Sequence, residues 1–290
     1  MREQAEQRAA RLLQILQLQQ IEEDLYLGQN EFAEPMRLFG GQVLAQAVSA
    51  AAQTVQGLRL HSLHAYFMRA GSSERPVLYE VERIRDGRSF TTRRVVAIQR
   101  GEAIFSMDAS FQIDEPGFEH AHPMPNVPLP DELEDDVQVV AAMDPGDPRL
   151  GPMAKTIRPF ETRSVFRPGS PEWAQDRFFS PVWIRFRAEV TPTDQTLAQS
   201  LLAYASDMGL VSTASLPHTV RLPRDQLQMA SLDHALWIHR PVPIDQWLLF
   251  HKRTSTLQGS RGMVHADLFA QQGELIASVT QEGLLRQRHT

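Results

Sequence analysis

The sequence contains an internal repeat, and this repeat restricts the possible folds more than any other feature. Residues 42–50 (QVLAQAVSA) match residues 195–203 (QTLAQSLLA) at an offset of 153 positions. Farther along the chain, residues 99–104 (QRGEAI) match residues 271–276 (QQGELI) at an offset of 172 positions. The order of the matched segments is kept while the offset grows, as expected when loops change length and regular elements do not. Because there are only two copies, the sequence predicts a duplicated domain and not a solenoid.

Each copy predicts one helix followed by four antiparallel strands. Apolar residues recur at helical spacing after the start of each copy. Over residues 104–113 apolar and polar residues alternate, which predicts a half-buried antiparallel strand. The dipeptides at 100–101 and 272–273 predict tight hairpin turns. A helix wrapped by an antiparallel sheet, present twice, predicts fold class α+β. The predicted strands cover residues 61–68, 78–85, 90–99, 103–113, 231–239, 247–256, 263–270 and 275–284.

Proline is concentrated between the two copies. Eight of the 19 prolines lie between positions 116 and 152, next to an acidic run at 131–136. Proline removes backbone donors and stops helices, so this stretch predicts a linker with one short helix. The sequence therefore predicts an N-terminal domain over 1–115, a linker over 116–154 and a C-terminal domain over 155–290.

Composition excludes several classes of protein. The 290 residues carry a net charge of −6, which is not typical of nucleic-acid binders because neutralising phosphates needs a basic surface. Cysteine is absent, which excludes disulfides, thiolate-bound metals and a cysteine nucleophile. No apolar run approaches the roughly 18 residues that a membrane span needs, and the N-terminus lacks the apolar core of a signal peptide. We therefore expect a cytoplasmic enzyme or binding protein that binds neither nucleic acid nor membrane.

Six segments spread over both copies occur in an order that is characteristic of one family. They are residues 38–48 (LFGGQVLAQAV), 61–71 (HSLHAYFMRAG), 86–112 (DGRSFTTRRVVAIQRGEAIFSMDASFQ), 204–210 (YASDMGL), 231–241 (SLDHALWIHRP) and 279–286 (VTQEGLLR). In this order they resemble the acyl-CoA thioesterase II family. The resemblance implies a double hotdog fold and hydrolysis of acyl-CoA to a free acid and CoA without a metal or cofactor. It also implies a homo-oligomer, a dimer or tetramer of double hotdogs.

The resemblance also implies which residues are catalytic. In the family an Asp, a Thr or Ser, and a Gln orient the attacking water. By motif these are Asp207 in YASDMGL, Ser231 in SLDHALW and Gln281 in VTQEG. Many members have Thr where this chain has Ser231, so the hydroxyl is kept but its rotamer is less restricted.

The repeat gives separate support to Gln281. At the offset of 172 it corresponds to Ala109, which lies on the apolar, core-facing side of its predicted strand. A buried amide needs hydrogen-bond partners, since an unsatisfied one costs about 1–3 kcal/mol. The alternative is a glutamine at the end of a strand that bends out to solvent.

The other two residues have weaker support from the repeat. Asp207 is expected at the C-terminal end of the second helix, where the helix dipole would raise its pKa, a useful direction for a general base. The alternative is a solvated Asp before a turn. Ser231 corresponds to a serine in the first copy, and Asp233 shares its strand parity as a competing carboxylate. His234 is expected on the opposite face.

Other candidate groups each have a structural alternative. Gly40 and Gly41 could offer amides to an oxyanion or form a turn that needs small residues. The pair His120 and His122 has no acidic residue at ligand spacing, so we expect no metal there. A cluster of arginines would either contact CoA phosphates or form a solvated face. These are Arg83, Arg85, Arg88, Arg93 and Arg94.

Two alternative functions stay open at this point. An enoyl-CoA hydratase shares the hotdog fold, but the D-x-N-P-x-H type of signature expected there is absent. A non-catalytic acyl-CoA-binding protein would keep the pocket and lack turnover. The motifs of α/β-hydrolases, P-loop proteins and Rossmann folds are absent as well.

Overall fold

The computed structural model describes residues 2–31, 37–143, 158–166, 178–218 and 227–287. Its helices are α1 (Arg2–Leu16), α2 (Gly40–Ala52), α3 (Asp136–Ala142), α4 (Gln195–Ser206) and α5 (Leu210–Ala214), with short 3-10 turns at Pro130–Glu132 and Leu216–His218. Its strands are β1 (Gln19–Glu22), β2 (Leu25–Gly28), β3 (Arg59–Phe67), β4 (Val77–Asp86), β5 (Phe90–Gln99), β6 (Glu102–Gln112), β7 (Phe160–Ser164), β8 (Phe179–Phe186), β9 (Leu227–Ser231), β10 (Asp233–Ile238), β11 (Leu248–Gln258), β12 (Arg261–Ala270) and β13 (Leu275–Gln287).

All of these strands form one antiparallel sheet whose two halves mirror each other. The order is β1-β2-β4-β5-β6-β3-β10-β13-β12-β11-β8-β7, and β9 pairs with β13. The halves join edge to edge at β3 and β10, where Leu63 pairs with Leu236. Each half would otherwise expose an open edge at this place, and pairing the two edges removes that liability. The α+β hotdog architecture expected from the sequence is confirmed.

The helices α2 and α4 pack against each other and against the sheet, and they are the repeated helices of the sequence. Both are almost entirely buried, and one continuous apolar core includes residues of both halves. The first glutamine of each repeated motif accepts a hydrogen bond from the backbone amide of a nearby loop. Gln42 Oε1 accepts a hydrogen bond from the Glu31 amide (3.1 Å), and Gln195 Oε1 accepts one from the Val242 amide (2.8 Å). The repeated motif thus anchors a loop to each helix.

The described part of the stretch between the copies packs on the other side of the second half. Trp183 and Trp247 form a small apolar cluster there, and Met124, Val127 and Leu133 pack against it. Trp183 Nε1 donates a hydrogen bond to the Pro128 carbonyl oxygen (2.9 Å). The short helix expected within this stretch is present as α3.

Most predicted strands agree with the structure to within a few residues, with two differences. The strand predicted over 231–239 is divided at Leu232, which lies in neither β9 nor β10. The turn at 100–101 is a two-residue hairpin with φ of 54° and 76°, whereas the turn predicted at 272–273 is a longer loop between β12 and β13. The sequence did not predict the helices α1 and α5 or the strands β1, β2, β7 and β8. None of the described helices is both long and apolar enough to cross a lipid bilayer.

Candidate active site

Three side chains that the sequence analysis singled out meet at the C-terminal end of α4. Asp207 is the C-cap residue of that helix and is only 7% exposed. Its Oδ1 accepts hydrogen bonds from Gln281 Nε2 (2.7 Å) and from Ser231 Oγ (3.2 Å). Because Gln281 lies on β13 and Ser231 on β9, two adjacent strands direct their donors at one carboxylate oxygen.

The first half of the molecule completes the surroundings of this carboxylate. Helix α2 begins beside Asp207, and the Gly41 amide donates a hydrogen bond to its carboxylate. A Cβ atom added at Gly40 would lie 2.8 Å from Asp207 Oδ2, and one added at Gly41 would lie 2.5 Å from the Tyr204 carbonyl oxygen. Small residues are therefore required here because the ends of α2 and α4 approach closely, and the Gly41 amide serves Asp207.

Burial raises the pKa of Asp207 to about 6. The hydrogen bonds from Gln281, Ser231 and the Gly41 amide, and the positive charge of Arg158, oppose this rise because they favour the ionised form. The upward direction expected from the sequence is found, and burial is its largest cause. Loss of hydration dominates, and the nearby N-terminus of α2 acts in the stabilising direction.

Gln281 is 1% exposed, so the prediction that it faces the core is confirmed. Its Nε2 group donates to Asp207 and also lies 3.0 Å from His234 Nδ1. Its Oε1 atom is buried and has no hydrogen-bond partner in the described part of the chain. Buried acceptors in native proteins are nearly always satisfied, so this oxygen is suited to receive a donor from water or substrate.

The division between β9 and β10 separates the two candidates that the sequence placed on one strand. Ser231 ends β9 and reaches Asp207, whereas Asp233 begins β10 and accepts a hydrogen bond from the Glu282 amide (2.6 Å). The shared parity assumed for Ser231 and Asp233 was wrong because a continuous strand was assumed through Leu232. His234 does lie on the face opposite Asp233, but that face is the buried one that carries Gln281.

Sequence reasoning missed two cations near the site, Lys252 and Arg158. Lys252 on β11 is buried, and its Nζ lies 4.9 Å from the centre of the Phe250 ring and 3.3 Å from a Cβ built on Gly209. Burial lowers the pKa of Lys252 to about 8, with Arg158 acting in the same direction and Asp136 opposing it. Lys252 lies two residues after Phe250 on the same strand, so both side chains point to the same face. This spacing from an apolar residue was the sequence feature that could have revealed a buried lysine.

The remaining candidates lie elsewhere. Arg93 is buried, whereas Arg83 and Arg94 are about half exposed and pair with Asp24 and Asp108. Arg93 is therefore not available to phosphates in solvent, whereas the other four arginines of this cluster are exposed. His122 lies 3.4 Å from one carboxylate oxygen of Asp267. Within the described ranges, no three His, Asp or Glu side chains are grouped as a metal site requires.

A cavity lined by described residues lies apart from this cluster. It measures about 530 Å³ and is bordered by charged side chains that include Glu161 on β7, Arg185 on β8 and Arg187 just after β8. None of Asp207, Ser231 and Gln281 lines it. The candidate site is thus identified by the convergence of polar side chains at the helix ends and not by cavity size.

Comparison with known proteins shows the family to which the chain belongs. A family model described as "Acyl-CoA thioesterase" matches residues 175–284, and one described as "Acyl-CoA thioesterase N-terminal domain" matches residues 32–112. Acyl-CoA thioesterase 2 of Haemophilus influenzae is 38% identical over 279 residues, covering 95% of this chain and 96% of that protein. Acyl-coenzyme A thioesterase 8 of Homo sapiens is 38% identical over 281 residues, covering 94% and 88%.

Solved structures give the same result. An acyl-CoA thioesterase II of Mycobacterium marinum superposes with a TM-score of 0.76 at 36% identity, covering 95% of this chain and 97% of that chain. A hot dog fold protein of Alicyclobacillus acidocaldarius superposes with a TM-score of 0.74 at 18% identity, covering 96% and 98%, which shows the fold alone. The molecule is therefore a protein of the hotdog class. At the level of sequence, the chain belongs to the acyl-CoA thioesterase II family, as its motifs predicted.

Proposed function

We propose that this chain hydrolyses acyl-CoA thioesters to a free carboxylic acid and CoA, using a water molecule activated by Asp207, Ser231 and Gln281. Family membership supports the reaction and the substrate class. One observation carries the mechanism. Two side-chain donors from adjacent strands converge on Oδ1 of a buried carboxylate, and a buried acceptor beside them has no partner in the described chain.

The reaction needs one proton acceptor and one oriented water. Asp207 accepts a proton from the water while the water oxygen bonds to the thioester carbonyl carbon. The tetrahedral intermediate then collapses, the carbon–sulfur bond breaks, and CoA leaves as a thiolate that takes up a proton. A thioester carbonyl has little resonance stabilisation and a thiolate is a good leaving group, so activation of water by one carboxylate is sufficient.

The environment of Asp207 suits this role. A pKa of about 6 keeps the carboxylate mostly ionised at neutral pH while making it a stronger base than an exposed aspartate. Ser231 and Gln281 hold Oδ1 in place, and the free Oε1 of Gln281 can accept a hydrogen bond from the water. The three residues thus combine proton acceptance with orientation of the nucleophile.

The test is release of thiol from acyl-CoA, followed with a thiol-reactive dye in the parent protein and in Asp207→Asn. Butyryl-, octanoyl- and palmitoyl-CoA serve as substrates. Asparagine has nearly the same shape and cannot accept the proton, so we expect turnover to fall by about 10²- to 10⁴-fold, the usual contribution of a general base.

Asp233→Asn is the matched control, because its carboxylate is close in sequence but accepts a backbone hydrogen bond at the strand edge. We expect it to retain activity within a few-fold of the parent. Loss of activity in Asp233→Asn alone would make that residue the base. A hydratase would consume an enoyl-CoA without releasing thiol, and a binding protein would release no thiol from any substrate.

Other expectations from the sequence stay predictions. We propose the division into domains at 1–115 and 155–290 with a linker between them, a homo-oligomer and a cytoplasmic location. Sedimentation of the purified chain would test the oligomer.

A further inference from the structure

His234 takes part in a buried chain of hydrogen bonds that runs from helix α4 to Gln281. His234 is 1% exposed and Ser206 is fully buried. Ser206 Oγ lies 2.9 Å from His234 Nε2, and His234 Nδ1 lies 3.0 Å from Gln281 Nε2. The chain starts at the Ala203 carbonyl oxygen, which accepts a hydrogen bond from Ser206 Oγ (2.9 Å).

The direction of each hydrogen bond in this chain follows from its starting point. A carbonyl oxygen only accepts hydrogen bonds, so the hydroxyl of Ser206 donates its proton to the carbonyl oxygen of Ala203. Ser206 Oγ must then accept a hydrogen bond from His234 Nε2–H. The neutral imidazole then presents Nδ1 as an acceptor. Only the amide nitrogen of Gln281 can donate to that acceptor, which leaves the amide oxygen Oε1 as the atom without a partner.

We propose that His234 is a positioning residue, and that with Ser206 it forms a one-way relay that fixes the orientation of the Gln281 amide. This inference rests on the role proposed above for Gln281. The relay matters most after Asp207 has taken the proton from water. A protonated Asp207 can donate to an amide oxygen, which would favour rotation of the amide by 180° and withdraw Oε1 from the water. The relay opposes that rotation because the rotated amide would present oxygen to the bare Nδ1.

The charged groups around the relay do not provide this orientation. His234 stays neutral because burial lowers its pKa to about 3. Around Asp207, α2 contributes the Gly41 amide, the segment before β7 contributes Arg158, and β11 places Lys252 near Gly209. Asp233 on β10 faces away from His234. None of these groups donates a hydrogen bond to the Gln281 amide oxygen, which is unpartnered in the described chain.

Ser206→Ala and Ser200→Ala form a matched pair for the test. Both serines are buried on α4 and donate to a carbonyl of their own helix, but only Ser206 contacts His234. In Ser206→Ala the imidazole loses its fixed acceptor and can exchange tautomers. We expect kcat for octanoyl-CoA to fall about 10-fold with KM nearly unchanged, the scale seen for outer partners of a site. Ser200→Ala should match the parent.

Substitution of His234 provides the second test. His234→Leu removes the Nδ1 acceptor and should lower kcat by about 10- to 100-fold. It should also move the acid limb of the kcat–pH profile to higher pH, because a rotated Gln281 would stabilise protonated Asp207. His234→Asn can place an oxygen near the Nδ1 position, so it should recover most of the loss and return the acid limb toward the parent.

The outcomes separate this inference from the proposed function. The relay is overturned if folded Ser206→Ala and His234→Leu keep kcat within two-fold and an unmoved acid limb while Asp207→Asn is inactive. Retained activity in Asp207→Asn would overturn the proposed mechanism and the relay together. If His234→Leu does not fold, the nearly isosteric Ser206→Ala decides the question against Ser200→Ala.

Discussion

The two halves of the sheet place different side chains at equivalent positions. On β6 Ala109 pairs with Leu63 of β3, and both are buried apolar residues. On β13 the corresponding residue is Gln281, and its neighbour on β10, one step beyond the pair of Ala235 with Thr280, is His234. The equivalent strand pairs thus differ: β3 and β6 form an apolar core in the first half, whereas β10 and β13 place two buried polar side chains next to each other in the second half.

The helix ends differ in a complementary way. Thr54 follows α2 where Asp207 follows α4, and the buried guanidinium of Arg93 donates to Thr54 Oγ1 (2.7 Å) and to Asp86 (2.6 Å). Arg93 is the β5 neighbour of Ala109, whereas Gln281 has Val264 as its β12 neighbour. The first half therefore closes its helix end with a buried cation. The second half places the carboxylate of Asp207 there, and the hydrogen bonds that it accepts from described residues come from the neutral groups of Gln281, Ser231 and Gly41.

A duplicated fold can thus carry a single candidate active site, because equivalent positions in the two halves have different side chains. Both halves provide a helix end over the sheet, but the proposed chemistry needs a carboxylate, its donors and an unpartnered acceptor together. Among the described residues, that set is found in the second half alone. The first half contributes through the Gly41 amide and the small residues that let α2 approach Asp207.

Among exchanges between equivalent positions of the two halves, the largest effect is expected when the second half receives the residue of the first. Gln281→Ala removes the shared donor to Asp207 and His234 as well as the free acceptor. Turnover of acyl-CoA should fall by about 10- to 1000-fold, mainly in kcat, since a positioned hydrogen-bonding group is lost. Steady-state kinetics with the thiol assay measures this.

Ala109→Gln is the reciprocal control for that substitution. It inserts an amide at a 1% exposed position without partners, so it should lower stability by about 1–3 kcal/mol. The folded fraction should keep its turnover. A variant Gln281→Ala with normal kcat in its folded fraction would show that Gln281 is structural.

A second effect concerns stability and pH. The pKa of Asp207 is raised in the folded state, so its stabilising contribution is present below about pH 4 and is lost as pH rises through about 6. At neutral pH the ionised group therefore destabilises the fold by up to about 3 kcal/mol. Asparagine does not ionise, so Asp207→Asn should not lose stability in this way as pH rises. Urea unfolding at pH 4 and pH 7 should show a smaller decrease in the free energy of unfolding for Asp207→Asn than for the parent, and equal decreases would contradict the assignment.

The smallest effect is expected in the first half. Arg93→Met keeps much of the buried volume but removes the hydrogen bonds to Thr54 and Asp86, so stability should fall by about 1–2 kcal/mol. Activity per folded molecule should not change, because this end carries no proposed chemistry. The exposed neighbour provides the control, and Arg94→Met should leave the urea midpoint nearly unchanged. A specific loss of kcat in Arg93→Met would mean that the first half takes part in catalysis.

Much of this arrangement could be predicted from the sequence because it repeats. The offset of 172 made Gln281 equivalent to Ala109 and so placed it on the core side of its strand. The helical spacing placed Asp207 at the end of α4. The division at Leu232 could not be predicted, because 231–239 is apolar enough for one continuous strand. That division decides which of Ser231 and Asp233 reaches Asp207.

The contribution of the first half was also beyond the sequence. The Gly41 amide meets Asp207 only because the ends of α2 and α4 approach across the two halves, and no local pattern reports such a contact. For the same reason the sequence could not show which effect contributes most to the raised pKa of Asp207. Burial, a property of the assembled fold, raises it.

The dependence of kcat on pH tests the central claim most directly, because Asp207 is proposed to act as the base in its ionised form. Thiol release from octanoyl-CoA, measured at saturation between pH 4.5 and 8, should rise with pH through a single ionisation near 6, the pKa that burial gives to Asp207. The residual activity of Asp207→Asn should lack this ionisation. A kcat that stays constant from pH 5 to pH 7, or an unchanged acid limb in Asp207→Asn, would contradict the assignment of Asp207 as the base.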